Sequence, residues 1–352
     1  NDKIVYILNN CDNNSIINSV LLNMKFYSNI LTSTKSYDFT FSLKHTIGGI
    51  KYKFNSSSSC IIPNIKKNGY ILNVRMVNYN IYKDGSYTCH DHIITLNKFI
   101  ELSNDFVITN DKLIDTDFID RLYIGIEDIR LFSDKNKIKF IGTGFHSNNT
   151  IGVVNGDYSD INFNVKDKLI SCELKPLFNL ESRCEKNWVY LDYKNETHII
   201  YSWYPLKICK NNENNNDNNE NNNDNNDNGK SNDNNIIELI TEITMPNIFK
   251  NVRGSSCGFK YEVEKDTYEL WFVTHIVSYD QPRHYYHMIV VFDEDMKLLR
   301  YSYPYKFEGE SIEYCIGLIV NQEEVIMSYS TMDKTTKINV YSKKYIDSIT
   351  IY

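Results

Sequence analysis

Five short polar motifs recur along the chain, each followed by a strand-like run, a polar turn and a second such run. They begin at "SSSSCIIPN" (56–64), "GIEDIRLF" (125–132), "CEKNWVYL" (184–191), "RGSSCGFK" (253–260) and "IEYCIGLIV" (312–320). Between them and the strands they introduce, they supply Asn64, Arg75, Glu127, Asp128, Arg130, Glu185, Lys186, Asn187, Arg253, Ser255, Ser256, Glu313 and Asp333. This is a dense mixture of acids, bases and amides. If it converges in one concave site, several carboxylates beside cations suit glycosidic chemistry. There an acid must protonate a leaving oxygen while positive charge builds at the anomeric carbon. The competing reading is a set of ion pairs that lock structural units together.

Elements must bring such distant residues together. The turns "KKNG", "SDKNK", "DYKNE", "EVEKD" and "NQEE" are hairpin punctuation, and the runs around them alternate and are rich in aromatic residues. The chain has 352 residues, 41% of them hydrophobic, with 27 Tyr and 17 Phe and no alanine. That favours strands over Ala-rich helical bundles. Units of two or more strands recurring at about 45–70 residues suggest propeller blades, with a β-sandwich as the alternative. The expected fold is therefore all-β, a five-bladed β-propeller spanning 1–352 as one domain. Residues 1–45 are expected to be N-terminal strands or a linker. In a propeller the innermost strands converge on the axis, so residues at their entry meet in one funnel.

Residues 211–235 hold sixteen asparagines, with six acids and one base. Such a tract cannot bury apolar surface to offset its ordering entropy, so a disordered insertion in a surface loop is expected. It carries −5 of the formal net charge of −7. The near-neutral remainder argues against a nucleic-acid partner, and no apolar run reaches the ~20 residues of a membrane span. Eight widely spaced cysteines without a C-x-x-C pair read as free thiols in a reducing, cytoplasmic compartment. The chain starts at Asn1, which leaves room for fusion to an upstream domain. "CHDH" (89–92) could place two histidines on one face of a strand for a metal, but a polar hairpin tip is favoured, so no metal is expected. "RHYYH" (283–287) could offer donors to a sugar or phosphate, and Tyr286 joins the substrate-binding candidates. Trp188, Trp203 and Trp271 could stack on sugars, although core positions suit at least two of them. No P-loop, G-x-G-x-x-G or G-x-S-x-G occurs, so nucleotide and serine-hydrolase readings have no support.

"GIEDIRLF" (125–132) resembles the E-D-P-R-hydrophobic signature of the β-mannoside phosphorylase family, with Ile129 in place of the proline. "LNVRMV" (72–77), "LWFVTHIV" (270–277), the stretch 285–320 and "VIMSYSTMDKTTKINVY" (325–341) are similar to further motifs of that family, in the same order. Departures are "CEKNWV" in the third unit and Ser330 where the family has glycine. The resemblance implies a five-bladed propeller that cleaves or builds β-linked mannosides with inversion. It implies Asp128 as general acid, Arg75 and Asp333 on hydroxyls of the reacting sugar, and Asn64 nearby. Lys186, Arg253 and His275 would face phosphate or the leaving group. The implied partner is an oligosaccharide or glycan, with inorganic phosphate or a sugar phosphate as co-substrate and no other cofactor. A hydrolase with Glu127, Glu185 or Glu313 as base, a transferase, and a non-catalytic glycan-binding or scaffolding propeller are the alternatives.

Overall fold

The computed structural model describes residues 2–88, 91–162, 167–178, 184–213 and 235–352. The chain is all-β, and among the described residues its strands form five open sheets. The first sheet runs from Ser42–Ile47 and the long strand Ile50–Pro63 through Tyr70–Val77 and Ile93–Leu102 to Ile108–Ile114. The second holds Glu127–Asp134, Lys137–Phe145, Ile151–Asp157 and Cys172–Glu173. The third is built on Val189–Tyr193, Glu196–Trp203, Leu206–Glu213 and Asn235–Ile243. The fourth centres on Val252–Gly254, Thr267–Ser278 and His284–Asp293. The fifth joins Glu313–Val320, Glu324–Thr331 and Lys337–Ser342 to a strand from far upstream, Lys35–Asp38, which pairs antiparallel with 337–340.

Local chemistry explains the hairpins. Lys135 (φ 55°), Lys194 (φ 54°) and Asn195 (φ 62°) take left-handed turn conformations in "SDKNK" and "DYKNE", and Asp266 (φ 60°) does so in "EVEKD". Each sheet then buries its apolar faces on its neighbours. Cys60, Ile71 and Phe99 of the first meet Ile129, Leu131 and Phe140 of the second. Phe132 and Ile141 of the second join Trp188, Ile199 and Trp203 of the third and Phe272 and Met288 of the fourth. Trp271 and Val291 of the fourth pack with Cys315, Met327 and Tyr329 of the fifth. Ile326, Ile338 and Val340 of the fifth meet Ile61, Leu72 and Leu96 of the first.

The N-terminal segment departs from expectation. Where strands or a linker were read, Asp2–Asn10 and Asn14–Asn23 are helices. Val5, Leu8, Ile17 and Leu21 sit at helical spacing and bury against the third and fourth sheets. The Asn13 Oδ1 caps the second helix, accepting from the Ser15 and Ile16 amides at 2.9 and 3.3 Å. Tertiary burial outweighs the strand preference of these Ile- and Val-bearing stretches. Strands follow at Asn29–Ile30 and Lys35–Asp38, and Ser42–Ile47 of the first sheet begins before residue 45. The Asn-rich stretch expected to be disordered falls, from 214 to 234, outside the described residues, as do Cys89 and His90 of "CHDH". Among the described residues no helix is long and apolar enough to cross a membrane.

Candidate active site

Two irregularities in strand pairing build the site. In the first sheet, Ser56 pairs with Met76 and Ser59 with Val74, so Ser57 and Ser58 bulge out together opposite Arg75. The bulge aims two adjacent hydroxyls at two different sheets. Ser57 Oγ donates to Asp333 Oδ1 of the fifth at 2.8 Å, and Ser58 Oγ donates to Asp128 Oδ1 of the second at 2.8 Å. In the second sheet, Glu127 pairs with Thr143 and Arg130 with Ile141, leaving Asp128 and Ile129 opposite Gly142 alone. Asp128 holds φ +51°, left-handed inside a strand. For a non-glycine residue that costs about 1–2 kcal/mol. Such strain is found where the surroundings over-determine a functional geometry. Gly142 is required, because a Cβ there would stand 2.9 Å from the Glu127 carbonyl oxygen.

The left-handed residue breaks the alternation of the strand, so neighbours in sequence reach one partner. Arg75 Nη2 lies 3.1 Å from Glu127 Oε1, and Arg75 Nη1 donates to Asp128 Oδ1 at 3.0 Å. The Arg75 side chain is 6% exposed, and its Nε has no protein partner. Its Nη2 also donates to the Tyr79 hydroxyl at 3.4 Å, which in turn donates to Asp333 Oδ2 at 2.8 Å. Asp333 is left-handed too, at φ +48°.

Arg130 is buried and ties the remaining sheets to this centre. Its Nη1 donates to the Asp128 carbonyl, and its Nη2 donates to Asn187 Oδ1 at 3.1 Å and Tyr314 OH at 2.6 Å. Its Nε donates to the Ser255 carbonyl of the fourth sheet. Asn187 (φ +66°) also accepts from Tyr314 OH at 2.8 Å. Behind Ser255, its hydroxyl pairs with His275 Nδ1 at 2.8 Å. His275 forms T-shaped contact with Tyr314 and stacks on Tyr285. Groups from all five motifs thus meet in one hydrogen-bonded cluster.

The two neighbouring carboxyls are driven apart. Burial raises Glu127 above the ordinary carboxylate range, with Asp128 and Asp333 adding to it against the pull of Arg75 and Lys186. Burial also works to raise Asp128, but Arg75, Arg130, the Ser58 hydroxyl and Lys186 overcome it and hold Asp128 low. At neutral pH Glu127 is the better proton holder and Asp128 the better charge. Burial holds His275 neutral, pushed well below its ordinary value with help from His287, Arg253, Arg130 and Lys186.

Several expected site residues stand elsewhere. Asn64 sits in the turn after Pro63, accepting from the Lys66 amide, at the far end of the strand that carries Ser57. Glu313 is fully buried, and its two oxygens accept from the amides of Phe307, Glu308 and Glu310 at 2.6, 2.9 and 2.9 Å. It organises a loop and has no part in the cluster. Trp188, Trp203 and Trp271 are all buried in the core, and none can stack on a sugar. Tyr286 is also core; strand alternation turns its neighbour Tyr285 toward His275 instead. In "RHYYH", His287 is buried and accepts from the Cys315 amide, leaving Arg283 as the site-side donor. Glu185 turns to Tyr201, which donates to it at 3.3 Å. Arg130 is enclosed and positions other groups. Lys186 and Arg253 are exposed, and both exert their charge on His275. Among the described residues no cluster of three or more His, Cys, Asp or Glu is placed to hold a metal ion. The sequence reading missed Ser57, Ser58, Tyr79, Tyr285 and Tyr314. The run of four serines was the one visible signal, because a polar run entering an apolar strand needs a reason.

No family model matches the sequence, and no curated protein matches it. Solved structures do share the fold. A β-1,2-mannobiose phosphorylase from Listeria innocua superposes with a TM-score of 0.51 at 8% identity, covering 84% of this chain and 93% of that one. A structure described under mannoside phosphorylases of glycoside hydrolase family 130, some of which are hydrolases of β-1,2-mannosidic linkages in Candida mannan, gives 0.52 at 8%, covering 90% and 97%. A glycosyl hydrolase from Bacteroides ovatus gives 0.51 at 9%, covering 86% and 89%.

Proposed function

We propose that this protein is a carbohydrate-active enzyme of the β-mannoside phosphorylase type, acting on β-mannosides or a similar glycan by phosphorolysis or transfer. The observation that carries the reading is one buried guanidinium, Arg75, shared by Glu127 and Asp128 with Asp333 beside it. The shared fold with mannoside phosphorylases supports the substrate class. The five sheets act as five blades of a propeller around this cluster; the succession of packings from each sheet to the next, and from the fifth to the first, supports that reading.

In this mechanism the Glu127–Asp128 pair is the general acid. It shares one proton, resting mainly on Glu127, and delivers it to the glycosidic oxygen as the bond to the anomeric carbon breaks. Arg75 and Asp333 hold hydroxyls of the reacting sugar. A phosphate oxygen attacks the anomeric carbon from the opposite face, giving an inverted sugar 1-phosphate and a free acceptor. The proton of hydrogen phosphate restores the pair. Lys186, Arg253 and neutral His275 line the phosphate side. A hydrolase on the same scaffold would need a separate base; Glu313, saturated by backbone amides, leaves Glu185 as the candidate.

The test is release of inorganic phosphate from α-mannose 1-phosphate with mannose or short mannosides as acceptors, in wild type and Asp128→Asn. Release that needs both an acceptor and Asp128 is expected. A folded wild-type protein that releases none would sink phosphorolysis, and sugar release without phosphate would favour the hydrolase.

A further inference from the structure

In every sheet a group of the candidate active site is followed, a little further along the chain, by a side chain that lines a second cavity. On Ile50–Pro63, Ser58 is followed by Cys60; on Glu127–Asp134, Asp128 is followed by Leu131. On Glu313–Val320, Tyr314 is followed by Ile316 and Leu318. After Ser255 the chain passes Cys257 into the strand Phe259–Glu264, and after Asn187 the strand Val189–Tyr193 reaches Asp192. Together these residues enclose a well of about 270 Å³. Its inner end backs on the catalytic cluster. Ser256 lines it beside Ser255, whose carbonyl holds Arg130, and Leu131 lines it beside Arg130 itself.

The deep walls have no need of water. Ser256 Oγ accepts from the Val273 amide at 2.8 Å, and Cys60 Sγ accepts from the Leu131 amide at 3.2 Å. Burial pushes the Cys60 and Cys257 thiols up to about 12, so both stay neutral. An apolar cavity of this kind stays dry, and its lining lacks the dispersion contacts that an apolar occupant restores. The mouth has the opposite character. Lys260 Nζ is shared by Asp192 Oδ2 at 3.3 Å and Glu294 Oε1 at 3.5 Å, so two carboxylates divide one ammonium. The other Asp192 oxygen, Oδ1, is shut off from water and has no hydrogen-bond partner among the described residues. A shielded carboxylate oxygen without a donor is costly, and the N–H of a cation satisfies it best.

We infer that this well is a binding site for a small amine, its apolar body, a single ring or a short alkyl chain, held among Cys60, Cys257, Ile316 and Leu318, and its ammonium donating to Asp192 Oδ1. The volume suits one ring with a short arm and falls below that of pockets for drug-sized molecules. The site is separate from the chemistry at Asp128 and stands whatever that cluster catalyses.

The experiment is calorimetric titration at neutral pH with three probes of one shape: benzylamine, which is charged, benzyl alcohol, which is neutral, and benzoate, which is anionic. Wild type is expected to bind benzylamine about tenfold more tightly than benzyl alcohol, the step a charge-assisted hydrogen bond supplies, and benzoate least. Asp192→Asn should bring benzylamine to the level of benzyl alcohol without moving the latter. Leu318→Phe, at a buried position lining the well, should weaken both by filling it. Should that variant fail to fold, the order of the three probes and Asp192→Asn still decide. Asp128→Asn should bind benzylamine as wild type does, because the catalytic carboxyls take no part. No binding of benzylamine, equal binding of all three probes, or an unchanged preference in Asp192→Asn would overturn the site. So would loss of benzylamine in folded Asp128→Asn, which would put the amine on the catalytic cluster instead.

Discussion

The carboxylate sites at Glu313 and at Glu127–Asp128 are built in opposite ways. Glu313 is enclosed by backbone: three amides of one loop fill its oxygens, and no substrate could compete for them. Glu127 and Asp128 are held by side chains from another sheet, with Asp128 itself left-handed and one guanidinium shared between them. Both settings raise a glutamate by burial. Burial by itself therefore does not mark a catalytic acid. What separates the two is whether the carboxyl keeps capacity to spare and whether its partner can be shared with a ligand.

The sharpest way to break that comparison is to neutralise each carboxyl in turn. Asp128→Asn and Glu127→Gln should each lower kcat by about 10²–10⁴-fold, with thermal unfolding close to wild type. Because the two share a proton, the double variant should lose little beyond the worse single one. Additive losses would show two independent groups. Glu313→Gln should do the reverse. Replacing a charged, multiply bonded acceptor by an amide should cost about 2–3 kcal/mol in denaturant unfolding, while the folded fraction keeps its kcat. Loss of activity in folded Glu313→Gln would return it to the candidate site.

The pH profile sharpens the same contrast. An acid works in its protonated form, so kcat should be full below the raised value of Glu127 and fall as pH rises through it. In Glu127→Gln the remaining activity should fall at lower pH, since Asp128 is held low. An unmoved alkaline limb would assign it to another group. The smallest effect is expected at Asn64, where Asn64→Ala removes a turn bond, costs at most about 1 kcal/mol and leaves kcat and KM unchanged.

Much of the fold was legible because hairpins announce themselves locally. The polar turns with their Lys, Asn and Asp residues fell where the chain reverses, and aromatic alternation marked the strands. The two helices at residues 2–23 were not legible as such, since β-branched residues suit either element; the cap at Asn13 was the cue available. In the site, charge made Arg75, Asp128 and Asp333 visible. Parity did not: Tyr285 and Tyr286 look alike in sequence, and only the strand register turns one to the site and the other to the core. Asn64 and Ser57 belong to one motif, yet a strand rises about 3.3 Å per residue, which carries Asn64 some ~20 Å away. The serine bulge escaped notice because hydroxyls carry no charge and a bulge has no composition.

The pairing of Lys35–Asp38 with its distant partner strand Lys337–Ser342, Tyr37 opposite Ile338, has a kinetic consequence. Nearly the whole chain must be closed into a loop before the fifth sheet gains its outer strand. That closure is entropically slow to find, and contacts of such sequence separation are expected to form after the local hairpins. The seam between the two chain regions should then govern how long the folded state lasts once formed, because stabilising late-forming contacts slows unfolding without speeding folding. The lifetime of the molecule, more than its rate of assembly, would be set at that four-residue edge.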